Sequence, residues 1–105
     1  MTWIYLITAG VLEVVWAYYM KLSFGFTKLW PTIITFAAMG ISFWLLAIAM
    51  RTIGLGTAYI IWTGIGAVGA FLVGIILLGE PVNLLRVVAA LFIITGLVMM
   101  QISST

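Results

Sequence analysis

The chain has 105 residues, 67% hydrophobic and 6% charged, with four cations, two carboxylates and a formal net charge of +2. Soluble domains carry about a quarter charged residues, so this composition cannot build a water-facing surface, and lipid must solvate most of the chain. With neither cysteine nor histidine, thiol chemistry is excluded, and a metal centre would need two carboxylates far apart in sequence, which argues against a metal or cofactor. Lys21, Lys28, Arg51 and Arg86 stand singly, and no basic run points to nucleic acid.

A hydrocarbon core about 30 Å thick needs roughly 20 residues of helix, and turn-forming and charged residues cut the chain into four such pieces. The first helix is expected at about 3–22, interrupted by charge only at Glu13. It lacks a basic leader and a small-residue cleavage pattern, so it reads as a retained span rather than a signal peptide. A turn at Ser23-Phe24-Gly25-Phe26-Thr27-Lys28 leads to a second helix at 30–50, with Pro31 suited to a first helical turn. Arg51 and the Gly54-x-Gly56 pair mark the next connection, and a third helix is expected at 57–78. Gly79-Glu80-Pro81-Val82-Asn83 forms a polar turn before a fourth helix at 84–102. The spans lack the period-2 alternation of barrel strands and are about twice too long for them. Backbone groups in lipid must be paired internally, so the fold class is all-α: one transmembrane domain, 1–105, a four-helix bundle with antiparallel neighbours.

Orientation is weakly encoded. Lys21, Lys28 and Arg86 fall on one side, and Arg51 and both termini on the other, a narrow vote under the positive-inside rule. One fixed orientation and insertion both ways round, which would permit antiparallel pairing, both remain open.

Glu13 carries the chemistry. A carboxylate deep in a span costs about 2.5–3.5 kcal/mol on insertion scales and marks a functional site by default, and its stem is too short to snorkel. The alternative is a structural carboxyl bonded between helices. Glu80, in its Gly-Glu-Pro turn, reads as an ordinary solvated charge. Lack of water disfavours the ionised form of a carboxyl. Such a group can hold a proton or pair with a cation, but not comfortably both. Mutual exclusion at one carboxylate suffices to couple proton movement to cation movement in the opposite direction.

At helical spacing Glu13 has Ala9, Gly10, Trp16 and Ala17 as neighbours. Ala9 and Gly10 are expected to leave room beside the carboxylate, and Trp16 to offer a flat wall that attracts cations, against the plainer reading of Trp16 as packing. Tyr59, Trp62, Thr63 and Gly66 share a face of the third helix, where Trp62 and Tyr59 can supply an indole N–H, a phenol and two ring faces. Ser42, alone in the middle of the second helix, either bonds its own backbone or orients Glu13. Trp3, Trp30 and Tyr5 read as interfacial residues, and Trp44 as packing. Gly64, Gly66 and the four-residue spacing of Gly66, Ala70 and Gly74 allow either close helix contact or a bend that opens a cavity. Ala89 and Gly96 offer a weak self-association seam. Four helices enclose little space for a gated cation pathway. Transporters commonly pair two repeats around a midplane site, and this chain has no internal duplication, so the second repeat is expected to be another copy.

Three segments together are specific: Leu12-Glu13-Val14-Val15-Trp16-Ala17, Met20-Lys21-Leu22-Ser23-Phe24-Gly25-Phe26-Thr27, and the run from Gly56 through Tyr59, Trp62 and Gly66 to Ala70. In that order and at those spans the chain resembles the small multidrug resistance family over nearly its whole length. The resemblance implies a proton-coupled exporter working as an antiparallel homodimer in the bacterial inner membrane, with Glu13 as proton and substrate carboxylate, Tyr59 and Trp62 as binding aromatics, and Ser42 beside the carboxylate. Glu13–Trp16 and Trp62–Ala70 look like the guanidinium exporters. Met20–Pro31 and Ile41–Leu46 look like the quaternary-ammonium exporters, and Gln101 stands where guanidinium exporters commonly place a lysine. The site-lining segments favour guanidinium, whose planar fork of donors suits a carboxylate, with quaternary ammonium compounds as the alternative substrates. Two other classes are weighed. A rotor-type proteolipid is a two-helix hairpin, and a pore-forming or structural membrane protein would not need Glu13. No nucleophile–base pair suggests an enzyme.

Overall fold

A computed structural model describes residues 2–103. It contains four α-helices: α1 (Thr2–Leu22), α2 (Leu29–Ala49), α3 (Leu55–Leu78) and α4 (Leu84–Ser103). Each is long and apolar enough to cross a membrane, and no strand occurs among the described residues. α3 begins two residues before the expected start because Gly54, with extended backbone, serves as its N-cap. Pro31 lies in the first turn of α2, after the N-cap Lys28, where a missing N–H removes no helical bond. Asn83 caps α4 by accepting a hydrogen bond from the Arg86 N–H at 2.9 Å, a favoured use of that side chain.

The helices form a slab of 42 × 34 × 17 Å. α1 lies between α2 and α3, α2 and α3 touch only briefly, and α4 packs on α3 alone. No residue of α4 is buried.

Interior packing is uneven along the membrane normal. The buried cluster comprises Leu6 and Ala9 of α1, Leu46 and Ala49 of α2, and Ala58, Ile61 and Trp62 of α3. Every member comes from the half of its helix nearest the Arg51 connection. Towards Lys21 and Glu80 the bundle is held mainly by small residues along the α1–α3 seam, where a Cβ on Gly69 would run into Val14. Apolar burial does not drive helices together in lipid, so close contacts of this kind carry the association.

The turn between α1 and α2 is the most constrained connection. Phe24, Gly25 and Phe26 take positive φ values of 49°, 73° and 67° in succession, and two of them are not glycine, which is uncommon. Ser23, fully buried, holds this path: its Oγ donates to the Met20 carbonyl at 2.7 Å and accepts from the Phe26 N–H at 3.0 Å. Phe26 stacks on Phe36 at 5.3 Å. Removing the Ser23 hydroxyl strands the Phe26 N–H, while the Met20 carbonyl keeps the Ser23 N–H at 3.2 Å. Ser23→Ala is expected to lower stability by about 1–3 kcal/mol, seen as a lower thermal midpoint in detergent; an unchanged midpoint would show that the aromatic stack alone sets the turn.

Candidate functional site

Glu13 is half-buried in the middle of α1 and directed at α3. Its carboxyl lies over Gly66: a Cβ at that position would overlap Oε1 and sit 2.8 Å from Cγ. Glycine at 66 is therefore a steric requirement for seating the acid. Oε1 is buried and has no hydrogen-bond partner, and the same is true of Trp16 Nε1. The two lie three residues apart on one face of α1. A buried acceptor and a buried donor thus both stand unsatisfied, at a cost of about 1–3 kcal/mol each.

Ser42 does something neither sequence reading anticipated. Its hydroxyl crosses to α1, donating to the Ala9 carbonyl at 2.7 Å, and accepts the Trp62 indole N–H at 3.0 Å. It bonds neither its own helix nor Glu13. Ala9 is four residues before Glu13, so the braced carbonyl is the one the Glu13 amide meets in an α-helix. One hydroxyl therefore ties α2 and α3 to the turn of α1 that carries the acid. It also occupies the indole N–H of Trp62, leaving that residue its ring faces.

The aromatic side chains form a linked series. Trp16 meets Phe43 edge-on at 6.3 Å, Phe43 meets Trp62 at 5.7 Å, and Trp62 meets Tyr59 at 5.6 Å. Phe43 is the member that sequence reasoning missed. Nothing in its spacing separates it from Phe36 or Trp44, and only the approach of three helices places it between two tryptophans. Trp44 turns outward and is 64% exposed. Trp3, expected at the interface, packs against the buried cluster.

One expectation about space needs correction. Gly10 was expected to leave room beside the carboxylate, but Ile65 of α3 fills it, with Cγ2 2.7 Å from where a Cβ would stand. Gly64 is likewise pressed against Leu97 of α4, and α3 runs unbroken from Leu55 to Leu78. Both glycines serve close helix contact. Tyr59, Thr63 and Gly64 border a groove of about 530 Å³ between α3 and α4, lined further by Phe92, Ile93 and Gly96. The structure thus unites Glu13 and Gly66 at the α1–α3 seam and Ser42 with Trp62 at the three-helix junction, with Trp16 against Phe43 of α2, while Thr63 lies on the α4 side.

These features define a class: a small polytopic membrane protein with one ionisable group in mid-span and an aromatic wall beside it. The family model of the Small Multidrug Resistance proteins matches residues 1–94. Proteins called guanidinium exporters are 51% identical to this chain in Salmonella typhimurium, over 99% of each chain. Those of Yersinia pestis and Escherichia coli K12 are 49% identical, covering 99% of this chain and 100% and 99% of their own length. The chain belongs to the Small Multidrug Resistance family of membrane transporters.

The seat at Gly66 can be tested by a double-mutant cycle. Gly66→Ala should cost about 1–3 kcal/mol of stability by overpacking, and Glu13→Ala in the same chain should recover most of it, because contacting sites couple. Additive losses in thermal unfolding would mean that the acid does not rest on this glycine.

Proposed function

We propose that this protein is a proton-coupled exporter of guanidinium and simple substituted guanidinium ions in the cell's inner membrane, with proton and substrate competing for Glu13. The observation that carries the reading is the buried, unpartnered Glu13 Oε1. A carboxyl so placed needs either a proton or a cation, and it gains most from the one that also satisfies its lone pairs. Guanidinium does this with a planar fork of N–H donors, through charge-assisted bonds stronger than neutral ones. The guanidinium-exporting relatives, similar over almost the whole chain, support the same substrate.

Each residue then has a part. Glu13 binds the proton or the cation. Trp16 offers a ring face to a cation and a free indole N–H, and Trp62 and Tyr59 extend the aromatic wall. Ser42 acts by positioning, since its bonds go to the Ala9 carbonyl and Trp62. Gly66 clears the seat of the carboxyl, Gly10 and Gly64 bring α1, α3 and α4 close, and Thr63 borders the outer groove. Exchange requires no cofactor or metal: a proton arriving from one side displaces the cation, and a cation arriving from the other displaces the proton.

The working unit in this reading is a homodimer. α4 packs on one neighbour and buries nothing, and a slab one or two helices deep does not surround Glu13. A second copy would complete the cavity, and the near balance of charge between the two ends of the spans suits an antiparallel pair. Two Glu13 carboxyls in one cavity would titrate as a coupled pair.

Reconstituted protein should drive guanidinium against its gradient when a proton gradient is imposed, and Glu13→Gln should abolish flux without altering folding; flux persisting in that variant would end the proposal. In equilibrium titrations, guanidinium affinity should weaken as pH falls, approaching about tenfold per pH unit once the carboxyl is largely protonated, because one proton must leave for one cation to bind. Tetraethylammonium in the same titration separates a guanidinium exporter from a quaternary-ammonium exporter: the first binds guanidinium alone or far more tightly.

A further inference from the structure

The second carboxylate of the chain, Glu80, sits in the turn after α3, and it is not simply extended into solvent. α3 ends on Gly79 in the left-handed conformation, and the Glu80 N–H returns to the Gly74 carbonyl six positions back at 3.0 Å, satisfying a carbonyl that the helix end leaves open. Its carboxylate then folds over Gly74, where a Cβ would overlap Oε1. Gly74 lies eight residues after Gly66, and eight residues is a little over two turns. α3 therefore presents a glycine seat to each of the protein's carboxylates along its length, one in mid-membrane and one at its end. Beside Glu80 is a cleft of about 210 Å³ between α1 and the end of α3, lined by Ala17, Tyr18, Lys21, Ala70 and Gly74. Lys21, in the last turn of α1, thus borders the same cleft as Glu80 from a different element.

The cleft occupies the loosely packed end of the bundle. The buried cluster closes the half near Arg51, with Leu6, Ala49 and Ala58 fully inaccessible. At the Lys21 end the α1–α3 seam is built on Gly69, Ala70 and Gly74, with Val14, Tyr18 and Val73 beside them, and Lys21 is two turns from Glu13 on α1.

We propose that Lys21 and Glu80 form an electrostatic latch across the mouth of the α1–α3 seam, and that its making and breaking sets how readily Glu13 communicates with that face of the membrane. The proposal rests on the exporter reading for its functional meaning, but the latch itself is a statement about access. Attraction between the charges draws the end of α1 towards the α3–α4 turn and narrows the seam. When the latch opens, the helices separate along a seam of small residues, where short side chains such as Val14 over Gly69 are the contacts that yield. The hydrogen bond from the Glu80 N–H to the Gly74 carbonyl keeps the acid end of the latch fixed, and Lys21 on its flexible stem is the moving end. An ion pair this exposed to water is weak, which suits a gate that must open in every cycle. It shifts the population of a two-state element by a modest factor and does not lock it.

The chain contains no cysteine, so a single cysteine at Ala70, inside the cleft, reports access without interference. In lipid vesicles, a membrane-impermeant thiol reagent should label Ala70→Cys about two- to fivefold faster when Glu80→Gln or Lys21→Gln is added, the factor expected from one exposed ion pair. The exchanged pair, Lys21→Glu with Glu80→Lys, should return the rate to that of the parent. Equal labelling in parent and single variants, or no recovery in the exchanged pair, overturns the latch. Labelling needs no transport. If Glu13→Gln leaves guanidinium flux intact while labelling behaves as expected, the exporter reading fails and the latch stands; if flux depends on Glu13 but labelling does not respond, the reverse holds.

Discussion

The organisation of the bundle depends on one carboxyl group held in mid-span against a glycine, with an oxygen that no group of its own chain satisfies. Placing Glu13 there is expensive in lipid, and the surrounding residues follow from that expense. Gly66 must lack a side chain because the acid occupies its space. The turn of α1 that carries the acid must not drift, and the Ser42 hydroxyl fixes it by bonding the Ala9 carbonyl. That hydroxyl in turn holds Trp62 by its indole N–H, so the aromatic wall and the acid share one brace. The Ala9 carbonyl, the Ser42 hydroxyl and the Trp62 indole satisfy one another, whereas Glu13 Oε1 and Trp16 Nε1 are left without partners.

Packing divides the bundle into a firm half and a yielding half. Around the Arg51 connection, side chains of three helices interlock. Towards Lys21 and Glu80, α1 and α3 meet over small residues, with Val14 resting on Gly69, and no member of the buried cluster lies there. α4 stands outside both halves, resting on α3 through contacts such as Leu97 over Gly64, with the rest of its surface turned outward.

Much of this was legible before any coordinates. Four long apolar spans admit only helices in lipid, so the fold class followed from composition and length, and Glu13 followed from the cost of a charge at that depth. The start of α3 shifted by two residues, where Gly54 serves as its N-cap. The partners within the site were less legible. A lone serine in an apolar helix can turn to its own backbone, to the acid or to a neighbouring helix, and only the crossing of α1 and α2 selects Ala9. Phe43 belongs to the aromatic series for the same reason, since three apposed helices bring it between Trp16 and Trp62.

The glycines mark the boundary most clearly. By itself the sequence determined that small residues recur along one face of the third helix, that one carboxyl lies in mid-span and another in a turn, and that aromatics cluster near the first. Only the tertiary structure decided which glycine receives which side chain: Ile65 over Gly10, Leu97 over Gly64, Glu13 over Gly66 and Glu80 over Gly74. A missing Cβ is visible in a sequence as available space, but what fills that space depends on the rotation and depth of the helix opposite. Those are set by contacts distant along the chain, and helical periodicity cannot supply them.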